Sequence, residues 1–467
     1  VTPPSKRWER DALGSVPVPA DALYGVHTVR ATENFPFTGP VLGEEPELVA
    51  AFARIKSASA AANARLGVLP EQIASDIGKA CEDMAAGRLN RHLRVRLLEG
   101  SGGTSMNMNV NEVVANRTLQ IMGKAPGAYG IVHPNDHVNR SQSTNDVVPS
   151  AVAIAAVLLC REAGEALGAL AGTLKSKARA FSDVLKLGRT CLQDAQPMTL
   201  GQAFSAYAAL AARCAGTLEI ASRPLLVLPL GATAIGTGYG APKGYRDVLY
   251  PLLADRSGMA VTPADNLFDA MSNADGFARL AGEIGAVAGG LGKIADDLVL
   301  LSSGPAGGLG EIRLPEVQAG SSIMPGKVNP VVPMAVRQAS HVVQGHVVTV
   351  QSACSDGLLE INHYEPATAM ALLASLRLVR DSAGLLAERC IPGIQANAER
   401  AAAHLFASSA LATGLAERSG YAEASALVRR AMDAGCSFLE QADAEGVLSR
   451  EEADALARAS AGLGARA

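Results

Sequence analysis

The chain has 467 residues, of which 48% are hydrophobic and only 4% aromatic, with 47 glycines and a formal net charge of −4. That length allows a large buried core in about two to four domains, and the small-residue composition favours close-packed helices. Mild acidity and scattered Lys and Arg exclude a basic nucleic-acid footprint, while seven widely spaced cysteines without CxxC pairing exclude a disulfide framework and a zinc site.

In chain order, residues 1–45 are rich in Pro, Gly and turn formers and are expected to form an extended arm. Helical periodicity follows over 46–65 and 70–85, and again over 105–124, ending near Gly123. Residues 125–146 form a long polar loop of the kind that is usually functional. Helix formers then fill 148–182, about 50 Å of helix at 1.5 Å per residue, with comparable stretches at 197–222, 264–302, 331–355 and 366–391. Several of these are apolar on more than one face, which predicts a central bundle that also packs against other subunits. Gly-rich polar loops at 186–196, 229–244 and 304–330 separate them. The tail from 397 reads as shorter helices, with Ser449 and Glu452 spaced as a capping box. The domain expectation is therefore an N-terminal helical domain with its arm (1–140), a central long-helix bundle (141–396) and a small C-terminal helical domain (397–467). No uninterrupted apolar run reaches about 18 residues, so no spanning helix is expected. The polar N-terminus has no signal-like apolar core, and the expected location is cytoplasmic.

The polar stretches carry the chemistry. "GSGGTSMNMN" (100–109) is a Gly-rich turn feeding a helix, able to offer N–H groups to an anion or simply to cap the helix through Thr104 or a serine. It lacks the Gly-Lys-Ser/Thr of a phosphate loop. "SQSTND" (141–146) sets Ser143, Thr144 and Asn145 before the longest helix, suited to a carboxylate oxygen or to a plain cap and turn. His133 and His137 are four apart, but Pro134, Asn135 and Asp136 lie between them and argue against a metal pair. The most specific stretch is "AGSSIMPGKVNPVVPM" (319–334). A serine acts as a base only where surrounding dipoles stabilise its alkoxide, and a Gly-Ser-Ser turn offers such a setting. Lys327 and Asn329 add a cation and an amide suited to a carboxylate.

"GSSIMPGKVNP" resembles the signature loop of the aspartase/fumarase superfamily. "GSGGTSMNMNVNEVVANR", "HPNDHVNRSQSTND", "GRTCLQDAQPMTLGQ", "LGATAIGTG" and "AERCIPGIQAN" resemble its other blocks in the same order. The resemblance runs from about Asp11 to Asn397. It implies a mainly α, three-domain subunit whose long central helices form a twenty-helix core in a homotetramer, each active site drawing on three subunits. It also implies a small dicarboxylate substrate, no membrane or nucleic-acid partner, and no metal or other cofactor. Ser321 would be the base. Thr104, Ser143, Thr144 and Ser322 would hold the β-carboxylate as it becomes an enediolate dianion, Lys327 and Asn329 the α-carboxylate, and Asn145 would lie near the amine.

Within the superfamily, "STND" and the arm "PADALYGVHTVRATENF" (19–35) resemble aspartases, whereas "GLGE" (308–311) resembles fumarases. The balance favours reversible anti elimination of ammonia from L-aspartate to give fumarate. The alternative is release of fumarate from another substituted succinate, such as an N-substituted aspartate, with fumarate hydration less favoured. Cys191 stands where fumarases have a histidine and Met334 where a glutamate is common, so both are read as pocket wall beside the leaving group. A non-enzymatic structural role is disfavoured because Thr104, Ser321 and Lys327 are all present.

Overall fold

Ala-, Leu- and Val-rich runs become helices in the computed structural model, which describes residues 6–463. The five longest are Thr144–Ala180, Leu200–Ser222, Asp275–Leu301, Val331–Ser355 and Glu365–Leu385. The fold is mainly α, and its strands are short pairs. The helix Thr144–Ala180 is long and apolar enough to cross a membrane by length and composition alone. Yet 72% of its most apolar window is buried inside the protein, as in a core helix.

Two compact units make up the chain: one takes residues up to Ala163, Thr217–Ala286 and Val342–Leu378, the other Gly164–Gly216, Val287–His341 and the chain from Val379 onward. Every dividing point falls within one of the five long helices. In the first unit, the helices Pro46–Arg65, Glu71–Ala85, Thr104–Ile121 and Tyr245–Ser257 bury Phe52, Ile55, Ile77 and Leu119 completely. In the second, the short helices Ala398–Ala407, Ala412–Ser419, Tyr421–Ala434, Phe438–Ala444 and Arg450–Ser460 close over Leu405, Leu427, Phe438 and Leu448. Ser449 and Glu452 form the expected capping box, and Ser437 and Glu440 form a second.

Four expectations are corrected. The arm is not merely extended. Lys6–Asp11 and Gly14–Pro19 pair as an antiparallel hairpin, followed by the helix Val26–Asn34. Arg30 clamps Asp11 with its Nε 2.6 Å from Oδ2, and the Arg7 guanidinium donates to the carbonyls of Pro19, Ala22 and Tyr24; such remote ties leave no compositional trace. The 264–302 helix breaks into Leu267–Ser272 and Asp275–Leu301, because Asn273 between them is extended. Residues 186–196 form a hairpin rather than a loop, its strands Leu185–Thr190 and Gln193–Thr199 joined through Cys191 and Leu192. The polar loop at 125–146 contains a π-helical turn, Pro134–Val138. Both histidines serve that turn: the His133 ring accepts the Asn135 and Asp136 N–H groups, and His137 Nδ1 accepts the His133 N–H.

Candidate active site

In the first unit two helix N-termini meet. Gly103 has φ +86°, and a Cβ there would lie 2.9 Å from the Val148 side chain, so only glycine lets the start of Thr104–Ile121 approach the first turn of Thr144–Ala180. Thr104 is exposed at that start. One turn on, buried Asn107 donates to Thr144 Oγ1 at 3.2 Å. Ser143 Oγ accepts the Asn145 N–H at 3.3 Å, and Asn145 Nδ2 donates to the Ala234 carbonyl at 2.8 Å. Thr104, Ser143, Thr144 and Asn145 therefore lie on adjoining helix starts, where the helix dipoles favour an anion.

A buried polar layer supports these residues. Lys56 Nζ donates to Asn107 Oδ1 (2.7 Å), Asn139 Oδ1 (2.8 Å) and Gln142 Oε1 (3.0 Å). The Asp146 carboxylate accepts the N–H groups of Ser143 (2.9 Å), Gly231 (3.0 Å) and Thr233 (2.9 Å), tying the "STND" turn to the 229–244 loop. Burial pushes Asp146 up to about 7 against those three donors, and pushes Lys56 down to about 7 despite the Asp146 charge. Sequence reasoning missed Lys56, Asn107, Asn139, Gln142 and Asp146. A signal was present in "MNMNVNE": asparagines at 107, 109 and 111 cannot share one solvent face of a helix, and all three are buried.

The second unit carries the remaining candidates. Ser321 Oγ accepts the backbone N–H groups of Ile323 (3.2 Å) and Met324 (3.1 Å), the arrangement that stabilises a serine alkoxide. The loop closes on itself. Asn329 Nδ2 donates to the Gly320 carbonyl at 2.5 Å, Gly326 takes φ +78°, and a Cβ at Gly320 would overlap the Lys327 carbonyl. Ser322 and Lys327 are exposed, with the ammonium free to meet a ligand. Cys191 lies at the exposed tip of its hairpin, and Met334 in the first turn of Val331–Ser355 is 47% exposed. Ser321, Ser322, Lys327 and Asn329 are thus gathered in one loop, while Cys191 and Met334 occupy separate elements.

The first unit thus presents a hydroxyl-bearing helix start, and the second a loop that holds a lysine and a serine cradled by two N–H groups. The family profile for lyases matches residues 14–345. Aspartate ammonia-lyase of Pseudomonas aeruginosa is 42% identical over 437 residues, 93% of this chain and 92% of that protein. The chain belongs to the aspartase/fumarase superfamily. This lyase is equally similar to fumarate hydratase class II of Ralstonia nicotianae, at 42% identity over 97% of this chain and 98% of that one. Its fold matches a crystal structure of fumarate lyase:delta crystallin from Brucella melitensis bound to cobalt, with TM-score 0.94 and 42% identity over 98% of this chain and all of that one. Among the described residues no group of three His, Cys, Asp or Glu side chains is placed to hold a metal ion.

Proposed function

We propose that this lyase eliminates ammonia from L-aspartate, reversibly and in the anti sense, to give fumarate. The observation that carries the reading is the pair of N–H donors on Ser321 Oγ. They lower the cost of the alkoxide that takes the Cβ proton, which a free serine in water cannot do. The proton passes to Ser321. The carbanion electrons spread into the adjacent carboxylate as an enediolate dianion, held by Thr104, Ser143, Thr144 and Ser322. The C–N bond then breaks with its electrons leaving on ammonia, near Asn145, while Lys327 and Asn329 hold the α-carboxylate through charge-assisted and amide hydrogen bonds. The chemistry needs no cofactor. Because Ser322, Lys327 and Met334 are exposed on the single chain, the proposal includes a homotetramer in which neighbouring subunits cover the site and exclude water.

Relatives of equal identity carry the names aspartate ammonia-lyase and fumarate hydratase, so the choice rests on the side chains beside the leaving group. Activating water calls for a positioned imidazole or carboxylate, and Met334 and Cys191 put a thioether and a thiol where that pair would stand. Ammonia elimination needs no activated water and survives that loss. The same softer wall favours, as a second reading, a leaving amine bulkier than ammonia. Fumarate absorbance from L-aspartate, L-malate and N-substituted aspartates tests both. The first reading requires product from L-aspartate and fails without it. Fumarate amination should outrun hydration by at least about a hundredfold, the scale of a missing acid–base group, and comparable rates would return the assignment to a hydratase.

A further inference from the structure

Glu311 opens the segment that leads to Ser321, and no solvent reaches it. Its Oε1 accepts from Arg189 Nη2 at 2.7 Å and from His404 Nδ1 at 2.9 Å, and Lys186 Nζ lies 3.6 Å from Oε2. Burial opposes ionisation of this carboxyl, but the Arg189 and His404 hydrogen bonds and the Lys186 charge outweigh it and hold the pKa below the ordinary range. The backbone around it is tied to the start of the tail. Ile312 and Arg313 pair with Ala396 and Gln395, and the Asn397 N–H donates to the Glu311 carbonyl at 2.8 Å. Asn397 Nδ2 reaches the Gly310 carbonyl at 3.0 Å, and Arg400 reaches the carbonyls of Leu309 and Gly308 at 3.3 Å each. Arg189 meanwhile is the penultimate residue of the strand Leu185–Thr190, which turns at Cys191. One carboxylate thus joins three segments: the root of the Ser321 loop, the Cys191 hairpin and the helix Ala398–Ala407.

We propose that Glu311 is a positioning residue for the lyase reaction, holding the root of the Ser321 loop and the Cys191 turn in one fixed frame through Arg189 and His404. The inference rests on Ser321 being the base. Fold stability alone does not call for such a cluster. Leu185 and Leu187 already dock the hairpin against Leu405, Phe406 and Leu411, and a buried ionic group carries a desolvation penalty that a packed hydrophobe avoids. What the ions add is direction. A bidentate-capable guanidinium and an imidazole fix the carboxylate's position in a way that apolar contacts do not.

The test compares the full-length parent with Glu311→Gln and with His404→Asn, the latter leaving the Arg189 pair intact. Hydrogen–deuterium exchange is read without substrate, and kcat/KM for L-aspartate is read alongside. Faster exchange is expected at 314–330 and 190–193 with helices 421–460 unchanged, and kcat/KM should fall about ten- to a hundredfold in Glu311→Gln, the scale of a small misplacement of a reacting group. Uniformly faster exchange across the tail would mean a structural role only and would overturn the proposal, as would unchanged exchange at 314–330. Should Glu311→Gln not fold, the exchange pattern of His404→Asn decides alone. If the parent does not turn over L-aspartate, the functional reading falls while the exchange result still stands or fails by itself.

Discussion

Ser321 Oγ already accepts two backbone N–H groups, and among the described residues no other hydroxyl lies in a loop so arranged beside a lysine and an asparagine. Ser321→Ala should therefore cost about a thousandfold or more in turnover while circular dichroism keeps the parental helix content; activity within tenfold of the parent would remove Ser321 as the base. Lys327→Ala should act mainly on KM, through loss of a charge-assisted contact. Lys56 invites a different measurement. Its folded pKa is depressed to about 7 by burial, so above that value the unfolded chain binds the extra proton and the native state does not. This group's contribution to stability thus rises with pH from about 7 up to the ordinary lysine value. Asp146, raised to about 7, works oppositely below that point: the native state keeps a proton the unfolded chain has lost, so stability falls as pH climbs toward 7. Lys56→Met should accordingly gain less in urea midpoint between pH of about 7 and 8.5 than the parent does. Equal slopes would mean that Lys56 stays charged in the fold.

The Cys191 hairpin illustrates how an element records a local conflict. Its two turn residues have φ +53° and +62°, the signature of a type I′ turn, which suits the twist of the flanking strands but favours Asn and Gly. Leu192 is 67% exposed, so its side chain returns little packing for a left-handed backbone. Leu192→Gly should raise stability by about 1 kcal/mol, read as a higher urea midpoint with an unchanged slope; a lower midpoint would show that Leu192 is covered in the assembled protein. Helices behave more predictably. Pro46–Arg65 and Val331–Ser355 begin and end where periodicity and proline place them, whereas Asn273, a residue with good turn chemistry, interrupts the stretch expected to be continuous from 264 to 302.

At the scale of the whole molecule, the helix Val331–Ser355 buries Val336, Val343 and Val350 yet leaves Met334, His341, Gly345, Val348 and Ser352 exposed along its other side. Small and apolar residues at that spacing leave room for another helix to approach closely. The proposed homotetramer gives this face its partner. Val348 is 62% exposed on the single chain, so Val348→Glu should leave helix content intact but lower the mass found by sedimentation and abolish turnover. A variant that keeps both the parental mass and activity would take this face out of the assembly.

The sequence by itself determined what is local. Long helices follow from composition and period, the capping box at Ser449 from three-residue spacing, and the grouping of Ser321, Ser322, Lys327 and Asn329 from their nearness along the chain. It also carried the superfamily, because whole blocks match in order. The tertiary structure alone decided the arm's hairpin, the Cys191 turn and the layer beneath the "STND" helix start. Lys56 finds Asn107 and Asn139 at separations of 51 and 83 residues, and Asp146 finds Gly231 and Thr233 at 85 and 87. A buried charge is tolerated only where donors or acceptors converge on it. Nothing in the residues flanking a lysine or an aspartate says which distant segments will supply them.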